Sequence, residues 1–231
     1  DRAAAPYADK LIFLFMGGLM VGVAMQRWDL HRRLALLVIR RVGANPAGLV
    51  GGFMLAAGLL SMWVSNTATA VMMLPIAMSV SQLVAPPESK GRAANFAPCL
   101  LLGVAYATSI GGIATLIGTP PNALLAAFLE RETGAAISFV DWMRLALPIV
   151  LLFGPLAWFT LAFIAFPVHG VDLSASHDVI DGELRRVGSW SRAEKRVLAV
   201  FAAMGAGWLL RPNLAERTGI AIEDAGIAMA G

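Results

Sequence analysis

The chain has 231 residues, of which 58% are apolar and only 14% are charged, with a formal net charge of +3. Soluble domains carry about 25% charged residues, and the mean hydropathy here is +0.72, so the composition excludes an ordinary soluble domain and predicts a membrane protein. The basic residues lie in connections between apolar runs rather than on one continuous face, and nucleic acid is therefore not an expected partner.

The first two predicted elements are a span and an interfacial helix. Residues 11–26 are apolar and lie between Lys10 and Arg27, whose long side chains can reach the bilayer surface. Residues 28–43 combine arginines with a stripe of leucine, valine and isoleucine, a pattern typical of a helix lying in the membrane interface. The alternative is a cytoplasmic loop.

The next apolar run, from Val42 to Pro87, has 46 residues without a charged or histidine side chain, about twice what one helix needs to cross a bilayer. The triplet Ser65-Asn66-Thr67 divides it into two arms. Polar groups so deep in an apolar run usually face a cavity or a ligand, although they can also join helices by hydrogen bonds. The run predicts either two complete spans or a re-entrant hairpin over residues 45–86 with its tip inside the membrane.

Residues 96–129 predict one broken span. Residues 96–108 are compatible with a helix of about 20 Å, residues 109–122 are rich in glycine and proline, and residues 123–129 add about 10 Å. The two helical pieces sum to roughly one hydrocarbon thickness. This length favours a break inside the membrane over a turn at its surface.

The remaining chain predicts a span over residues 142–166, a polar cytoplasmic connection over residues 167–196, and a further apolar segment from residue 197. The connections at residues 27–41, 85–95 and 167–196 carry 12 of the 18 Lys and Arg residues, and alternation of the segments places all three on one side. The excess of positive charge predicts that this side is cytoplasmic.

The apolar runs contain no sign of catalysis. The sequence lacks the His-Glu-x-x-His, Gly-x-Ser-x-Gly and Gly-x-x-x-x-Gly-Lys patterns, and its three histidines lie in polar connections away from any candidate site. With no acid, base or activated nucleophile in these runs, the chain is not predicted to be an enzyme, and a metal cluster is not expected.

The polar residues of the runs suit ion binding instead. Ser61 and Ser65 are four residues apart, so on a helix both oxygens would face the same way, and with the Asn66 amide oxygen they could hold a small hard cation. Thr119 suits the N-cap of the second helical piece of the broken span, with Pro120 at its first position. The two helix N-termini would aim positive dipole ends at the break, an arrangement typical of secondary transporters that couple an anion to sodium.

Two motifs carry a resemblance to the divalent-anion/sodium symporter family, which includes sodium-coupled dicarboxylate, citrate and sulfate transporters. Residues 65–75, Ser-Asn-Thr-Ala-Thr-Ala-Val-Met-Met-Leu-Pro, resemble its Ser-Asn-Thr motif. Residues 109–122, Ser-Ile-Gly-Gly-Ile-Ala-Thr-Leu-Ile-Gly-Thr-Pro-Pro-Asn, are similar to the companion motif in its unwound fifth helix, and residues 27–33 resemble the start of its interfacial helix. The match covers roughly residues 10–130.

The resemblance implies an all-α inverted-repeat secondary transporter with a re-entrant helical hairpin and a broken transmembrane helix. Residues 1–166 would form most of the first repeat, and residues 197–231 would start the second. The family has a second Ser-Asn-Thr triplet that does not occur here. We therefore expect a fragment that covers mainly the first repeat and holds only part of the site.

The resemblance also implies a set of ligands. One sodium ion would be held by Ser61, Ser65, Asn66 and the Gly118 carbonyl. The carboxylate of a substrate would meet Ser65, Asn66, Thr67, Thr119 and Pro120.

The expected function is sodium-coupled uptake of a small divalent anion, foremost a C4-dicarboxylate, by a multi-pass protein of the cytoplasmic membrane. Succinate, malate, citrate and sulfate are candidate substrates, Na⁺ is the coupling ion, and the expected assembly in the lipid bilayer is a homodimer. Two alternatives stay open: a sodium-independent dicarboxylate exchanger of the same family, and a non-transporting scaffold or channel-like subunit whose polar breaks serve helix packing.

Overall fold

A computed structural model describes residues 10–42, 45–86, 88–171, 173, 176–218 and 223–231. Every regular element in these ranges is helical, which confirms the all-α class. The α-helices are α1 Lys10–Arg27, α2 Leu30–Val42, α3 Pro46–Ser61, α4 Asn66–Val84, α5 Phe96–Gly112, α6 Pro120–Thr133, α7 Phe139–Phe159, α8 Ser176–Val187, α9 Arg192–Thr218 and α10 Asp224–Ala230. Residue 43, the predicted end of the interfacial helix, lies outside these ranges, and so do residues 1–9.

Four of the described segments are long and apolar enough to cross a membrane. They are Lys10–Arg27, Asn66–Val84, Gly91–Gly112 and Phe139–Ala165, the third beginning with the short 3₁₀ helix Gly91–Asn95. Helix α3 is apolar but shorter, with 16 residues. At 1.5 Å per residue it is about 24 Å long, less than the roughly 30 Å hydrocarbon core.

A sharp turn separates α1 from the amphipathic helix α2. Asp29 has a φ of 53°, a left-handed conformation uncommon outside glycine, and α2 starts directly after it, two residues later than predicted. The sequence placed His31 in a polar connection, but the structure buries it with Nδ1 2.9 Å from the Met25 carbonyl oxygen. Burial lowers the pKa of His31 below its ordinary value.

Helices α3 and α4 form an antiparallel hairpin that packs against α5. At its start, Asn45 caps α3 by accepting a hydrogen bond from the Gly48 N–H at 2.7 Å, with Pro46 at the first helical position. Gly58 of α3 and Gly111 of α5 meet backbone to backbone, since a Cβ on Gly111 would lie 2.2 Å from the Gly58 carbonyl oxygen. Small residues at this crossing bring the hairpin against α5.

A non-helical break separates α5 from α6, and the two helices are longer than the predicted pieces. Helix α5 continues to Gly112 rather than ending at residue 108, and α6 starts at Pro120, as the N-cap at Thr119 predicted, and continues to Thr133 rather than ending at residue 129. Gly111 and Gly112 stay helical because their missing side chains allow close packing on the hairpin. The break is therefore confined to residues 113–119.

The next span is one continuous helical segment. Helix α7 begins at Phe139, where Ser138 accepts a hydrogen bond from the Asp141 N–H, three residues before the predicted start. Pro148 and Pro155 lie inside the helix without ending it, and π-helical turns continue it over Thr160–Ala165. Prolines are tolerated in membrane helices because neighbouring groups satisfy the freed backbone.

The polar connection predicted over residues 167–196 is partly helical. It contains α8, and α9 already begins at Arg192 rather than at residue 197. Helix α8 packs along α2 through opposite charges: Arg40 pairs with Asp181 at 3.2 Å, and Arg32 pairs with Glu183. Acidic side chains of α8 therefore pair with the basic face of α2, a contact that the charges of the connections did not predict.

A buried ion pair ties α2 to the start of α9. The Arg33 guanidinium lies 2.6 Å from Glu194, and both side chains are at least 95% buried. Arg33 also donates to the backbone carbonyls of Gly188 at 2.8 Å and Ser189 at 3.1 Å. Glu194 and Ser191 form a capping box, in which each side chain accepts a hydrogen bond from the other residue's N–H.

Candidate functional site

The tip of the hairpin separates the two serines that the sequence predicted would face the same way. Helix α3 ends at Ser61, the chain reverses through residues 62–65, and α4 begins at Asn66. Ser61 is fully buried, whereas Ser65 is exposed and accepts a hydrogen bond from the Ala68 N–H at 3.3 Å as the N-cap of α4. The argument from helical spacing is wrong because these two residues do not share a helix.

A buried cluster of oxygens lies where the hairpin tip meets α5. The Ser61 hydroxyl oxygen lies 2.6 Å from Asn66 Oδ1 and 2.7 Å from the Thr108 carbonyl oxygen. A hydroxyl carries one proton, so it can donate to only one of these two acceptors at a time. The cluster has an excess of acceptor oxygens, which is the composition that a hard cation prefers.

Two glycines bring the broken span up to this cluster. A Cβ on Gly112 would lie 2.3 Å from Asn66 Oδ1, so only glycine leaves room for the amide. A Cβ on Gly118 would lie 2.4 Å from the Gly112 carbonyl oxygen and 3.1 Å from the Ser61 carbonyl oxygen. The structure therefore brings Ser61, Asn66 and Gly118 together, and leaves the Ser65 side chain at the exposed rim.

The break itself is held by side chains that the sequence analysis did not assign to the site. Asn122 is buried and donates to the carbonyls of Gly112 at 2.8 Å and Thr115 at 2.7 Å. Thr115 donates to the Met62 carbonyl of the hairpin tip, and the Trp142 indole donates to Ile113 at 2.9 Å. The sequence could have indicated this role for Asn122, because a polar side chain next to a Pro-Pro pair in an apolar run needs backbone partners.

The residues predicted to meet an anion lie at two helix N-termini. Thr119 is the half-buried N-cap residue of α6 with extended backbone (φ −151°, ψ 142°), and Pro120 is exposed at the first helical position. Thr67 is exposed in the first turn of α4, whose N-cap is Ser65 and not Thr67. Within the described part of the chain neither threonine hydroxyl makes a hydrogen bond, so both are available to a ligand.

Thr69 adds an unpartnered hydroxyl close to this site. Its side chain is 99% buried, and its Oγ1 has no hydrogen-bond partner among the described residues. Thr69 follows Asn66 by three positions, so both side chains lie on the same face of α4. Buried hydroxyls usually have a hydrogen-bond partner. The unpaired Thr69 hydroxyl therefore adds to the polar groups near the hairpin tip that the protein itself does not satisfy.

The sequence is similar to known membrane transporters. Residues 1–230 match the family model described as a citrate transporter, CitMHS. A sodium-dependent dicarboxylate transporter, SdcS, of Staphylococcus saprophyticus is 36% identical over 218 residues, which are 93% of this chain and 42% of that protein. The SdcS of Staphylococcus aureus strain USA300 is 34% identical over 221 residues, 94% of this chain and 42% of that protein. The chain thus spans less than half the length of these curated relatives.

Proposed function

The chain belongs to the citrate transporter family, among the divalent-anion/sodium symporters, and on this premise we propose that the whole protein takes up a C4-dicarboxylate together with sodium across the cytoplasmic membrane. Residues 10–166 contribute one half of the binding site as most of the first inverted repeat. The observation that carries the proposal is the buried oxygen cluster of Ser61, Asn66 and the Thr108 carbonyl, at the contact between the hairpin tip and the broken span.

The cluster fits a sodium ion better than it fits its own hydrogen bonds. Three oxygens meet around one available proton, and a cation would satisfy the acceptors left over. The proposal requires the oxygen of the Asn66 amide, rather than its NH₂ group, to face Ser61, because only the oxygen can bind a cation. The Gly118 carbonyl is the further ligand we propose, because Gly118 lies against Ser61 and Gly112.

The anion half of the proposed site uses the N-termini of α4 and α6. Helix α4 starts beside the cluster, and the N–H groups of Asn66 and Thr67 in its first turn lack helical partners. Helix α6 starts with Pro120 and Pro121, which have no N–H, so its contribution to the anion is the dipole of the helix. The hydroxyls of Thr67 and Thr119 and the backbone N–H groups of Asn66 and Thr67 then provide neutral donors, while Ser65 and Pro120 give the site a fixed shape. A dianion would be attracted by the adjacent sodium ion, which links the two binding events.

The hairpin is proposed to be re-entrant rather than two complete spans. Helix α3 is about 24 Å long and begins at the exposed residue Asn45, so its far end at Ser61 would lie within a hydrocarbon core of roughly 30 Å. The non-helical backbone of residues 62–65 would then lie at membrane depth. Such backbone is tolerated only where protein or water surrounds it, and here α5 and the break surround the buried part.

Uptake by the full-length protein in liposomes tests this proposal. Radiolabelled succinate should enter with an inward sodium gradient and not with potassium alone. Competition by excess unlabelled malate, citrate or sulfate then ranks these anions as substrates. Uptake that needs internal dicarboxylate but no sodium would instead identify an exchanger. No uptake under either condition would support a scaffold and overturn the proposal.

A pair of serine variants connects uptake to the cluster. Ser61→Ala should raise the sodium concentration for half-maximal uptake by roughly five- to 150-fold, since losing a buried polar partner costs about 1–3 kcal/mol. Ser79→Ala is the matched control, because Ser79 is exposed on α4 and bonds only to the Pro75 carbonyl of its own helix. Equal sodium dependence in both variants would show that the cluster is not the cation site.

A further inference from the structure

We propose that a groove between α1, α9 and α10 binds an anionic phospholipid of the membrane, with an acyl chain along its apolar floor and the headgroup phosphate on arginines at its end. The groove has a volume of about 280 Å³. It lies apart from the hairpin tip and takes no part in the proposed transport site.

The floor and walls of the groove are apolar. Met20, Val21 and Ala24 line it from one face of α1, and Val197 and Val200 line it from α9. Helix α10 closes the floor and is fixed closely to α1, since a Cβ on Gly17 would lie 2.2 Å from the Ala228 carbonyl oxygen. The groove is therefore apolar along α1, which is long and apolar enough to cross a membrane, where lipid chains would surround it.

One end of the groove is strongly basic. Arg196 lines the groove itself, and Arg192 precedes it by one helical turn on the same face of α9. On α1, Arg27 follows Ala24 by three positions and continues the face that lines the groove. None of these three exposed arginines pairs with a carboxylate among the described residues.

The acidic residues nearby do not neutralise this end. Glu194 on α9 is buried against Arg33 on the other face of the helix, and Asp224 of α10 pairs with Arg211 towards the far end of α9. Asp29 is exposed after the end of α1 and is the remaining carboxylate close in sequence. The basic end therefore has a surplus of positive charge that fits a phosphate group.

Two tryptophans indicate that the arginines lie at the level of lipid headgroups. Trp28 is 47% exposed beside Arg27, whose guanidinium carbon lies 6.0 Å from its ring centre, and Trp190 is 37% exposed just before α9. Tryptophan is enriched at the membrane–water interface. Basic pockets between membrane helices on the cytoplasmic side are suited to anionic headgroups, and the apolar groove leads from this level towards the middle of the membrane.

Native mass spectrometry of the full-length protein, titrated in detergent with phosphatidylglycerol or phosphatidylcholine, tests the proposal. Phosphatidylglycerol should bind more tightly, and Arg196→Gln should weaken its binding roughly five-fold while binding of phosphatidylcholine changes little. Arg185→Gln removes one exposed charge from α8 and should leave both affinities unchanged. Ala24→Phe, which fills the groove and keeps all arginines, should weaken both lipids.

Several outcomes would overturn the proposal. Equal binding of the two lipids would exclude recognition of the headgroup charge. Equal effects of Arg196→Gln and Arg185→Gln would place any anionic lipid elsewhere. If neither Arg196→Gln nor Ala24→Phe affects lipid binding in protein that melts at the parental temperature, the groove is not the lipid site.

Discussion

Replacing Gly112 by alanine gives a direct test of the buried oxygen cluster. The added methyl group would lie 2.3 Å from Asn66 Oδ1 and 2.9 Å from Asn66 Nδ2, well inside the optimal contact distance of about 3.5 Å. The amide must therefore move by about 1 Å. Asn66 Oδ1 would then leave its position 2.6 Å from the Ser61 hydroxyl, and the proposed cation ligands would separate.

The size of the effect follows from the displacement of one proposed ligand oxygen. Losing a buried polar partner costs about 1–3 kcal/mol, and each 1.4 kcal/mol corresponds to a tenfold change in affinity. Sodium affinity should fall roughly five- to 150-fold. Gly154→Ala is the matched control, because it makes the same chemical change on α7 where a Cβ meets nothing within 4 Å. The sodium affinity of this variant should equal that of the parent.

The assay is sodium-dependent succinate uptake by the full-length protein, combined with the shift in melting temperature that sodium produces without substrate. Both measurements should require more sodium in Gly112→Ala. The reasoning is refuted if Gly112→Ala is folded and binds sodium within twofold of the parent. It is equally refuted if Gly154→Ala loses as much sodium affinity as Gly112→Ala.

Four further predictions concern the ion pair between α2 and α9 and the proposed anion site. Arg33→Gln should destabilise the protein by about 3–5 kcal/mol, because it leaves Glu194 buried without its partner, and its thermal melt should fall far below that of Arg185→Gln. Burial raises the pKa of Glu194, but hydrogen bonds from Arg33 and Ser191 outweigh burial and hold the pKa below its ordinary value. The ionised Glu194 therefore stabilises the protein fully above a pH of about 4.3, and this stabilisation is lost as the pH falls through the lowered pKa. Thermal melts of Glu194→Gln should not show this loss. Thr119→Val should weaken dicarboxylate binding and leave sodium affinity measured without substrate unchanged; equal losses would mean that the two ligand sets overlap. A cysteine at Thr67 should react with thiol reagents from one side of the membrane and be protected by sodium with substrate, whereas free labelling from outside, unaffected by ligand, would contradict a re-entrant hairpin.

The sequence by itself determined the class of the protein and the order of its elements. A long run without charged residues can be stable only in an apolar environment, so the membrane assignment needed no tertiary information. Pro120 after Thr119 placed the start of α6 correctly, since proline is favoured at the first helical position and Thr119 occupies the N-cap. The motifs at residues 65–75 and 109–122 identified the family, because they report local backbone needs that the sequence must encode directly.

Tertiary structure alone decided which polar groups form the site. Spacing predicted that Ser61 and Ser65 would act together, but the reversal after Ser61 buries one and exposes the other. The extension of α5 to Gly112 depends on contact with Asn66, and the helix α8 in the predicted connection is paired with α2 through Glu183 and Asp181. The Thr108 carbonyl could not be assigned to the cluster in advance, because every residue has a carbonyl and only packing between distant segments brings this one against the Ser61 hydroxyl.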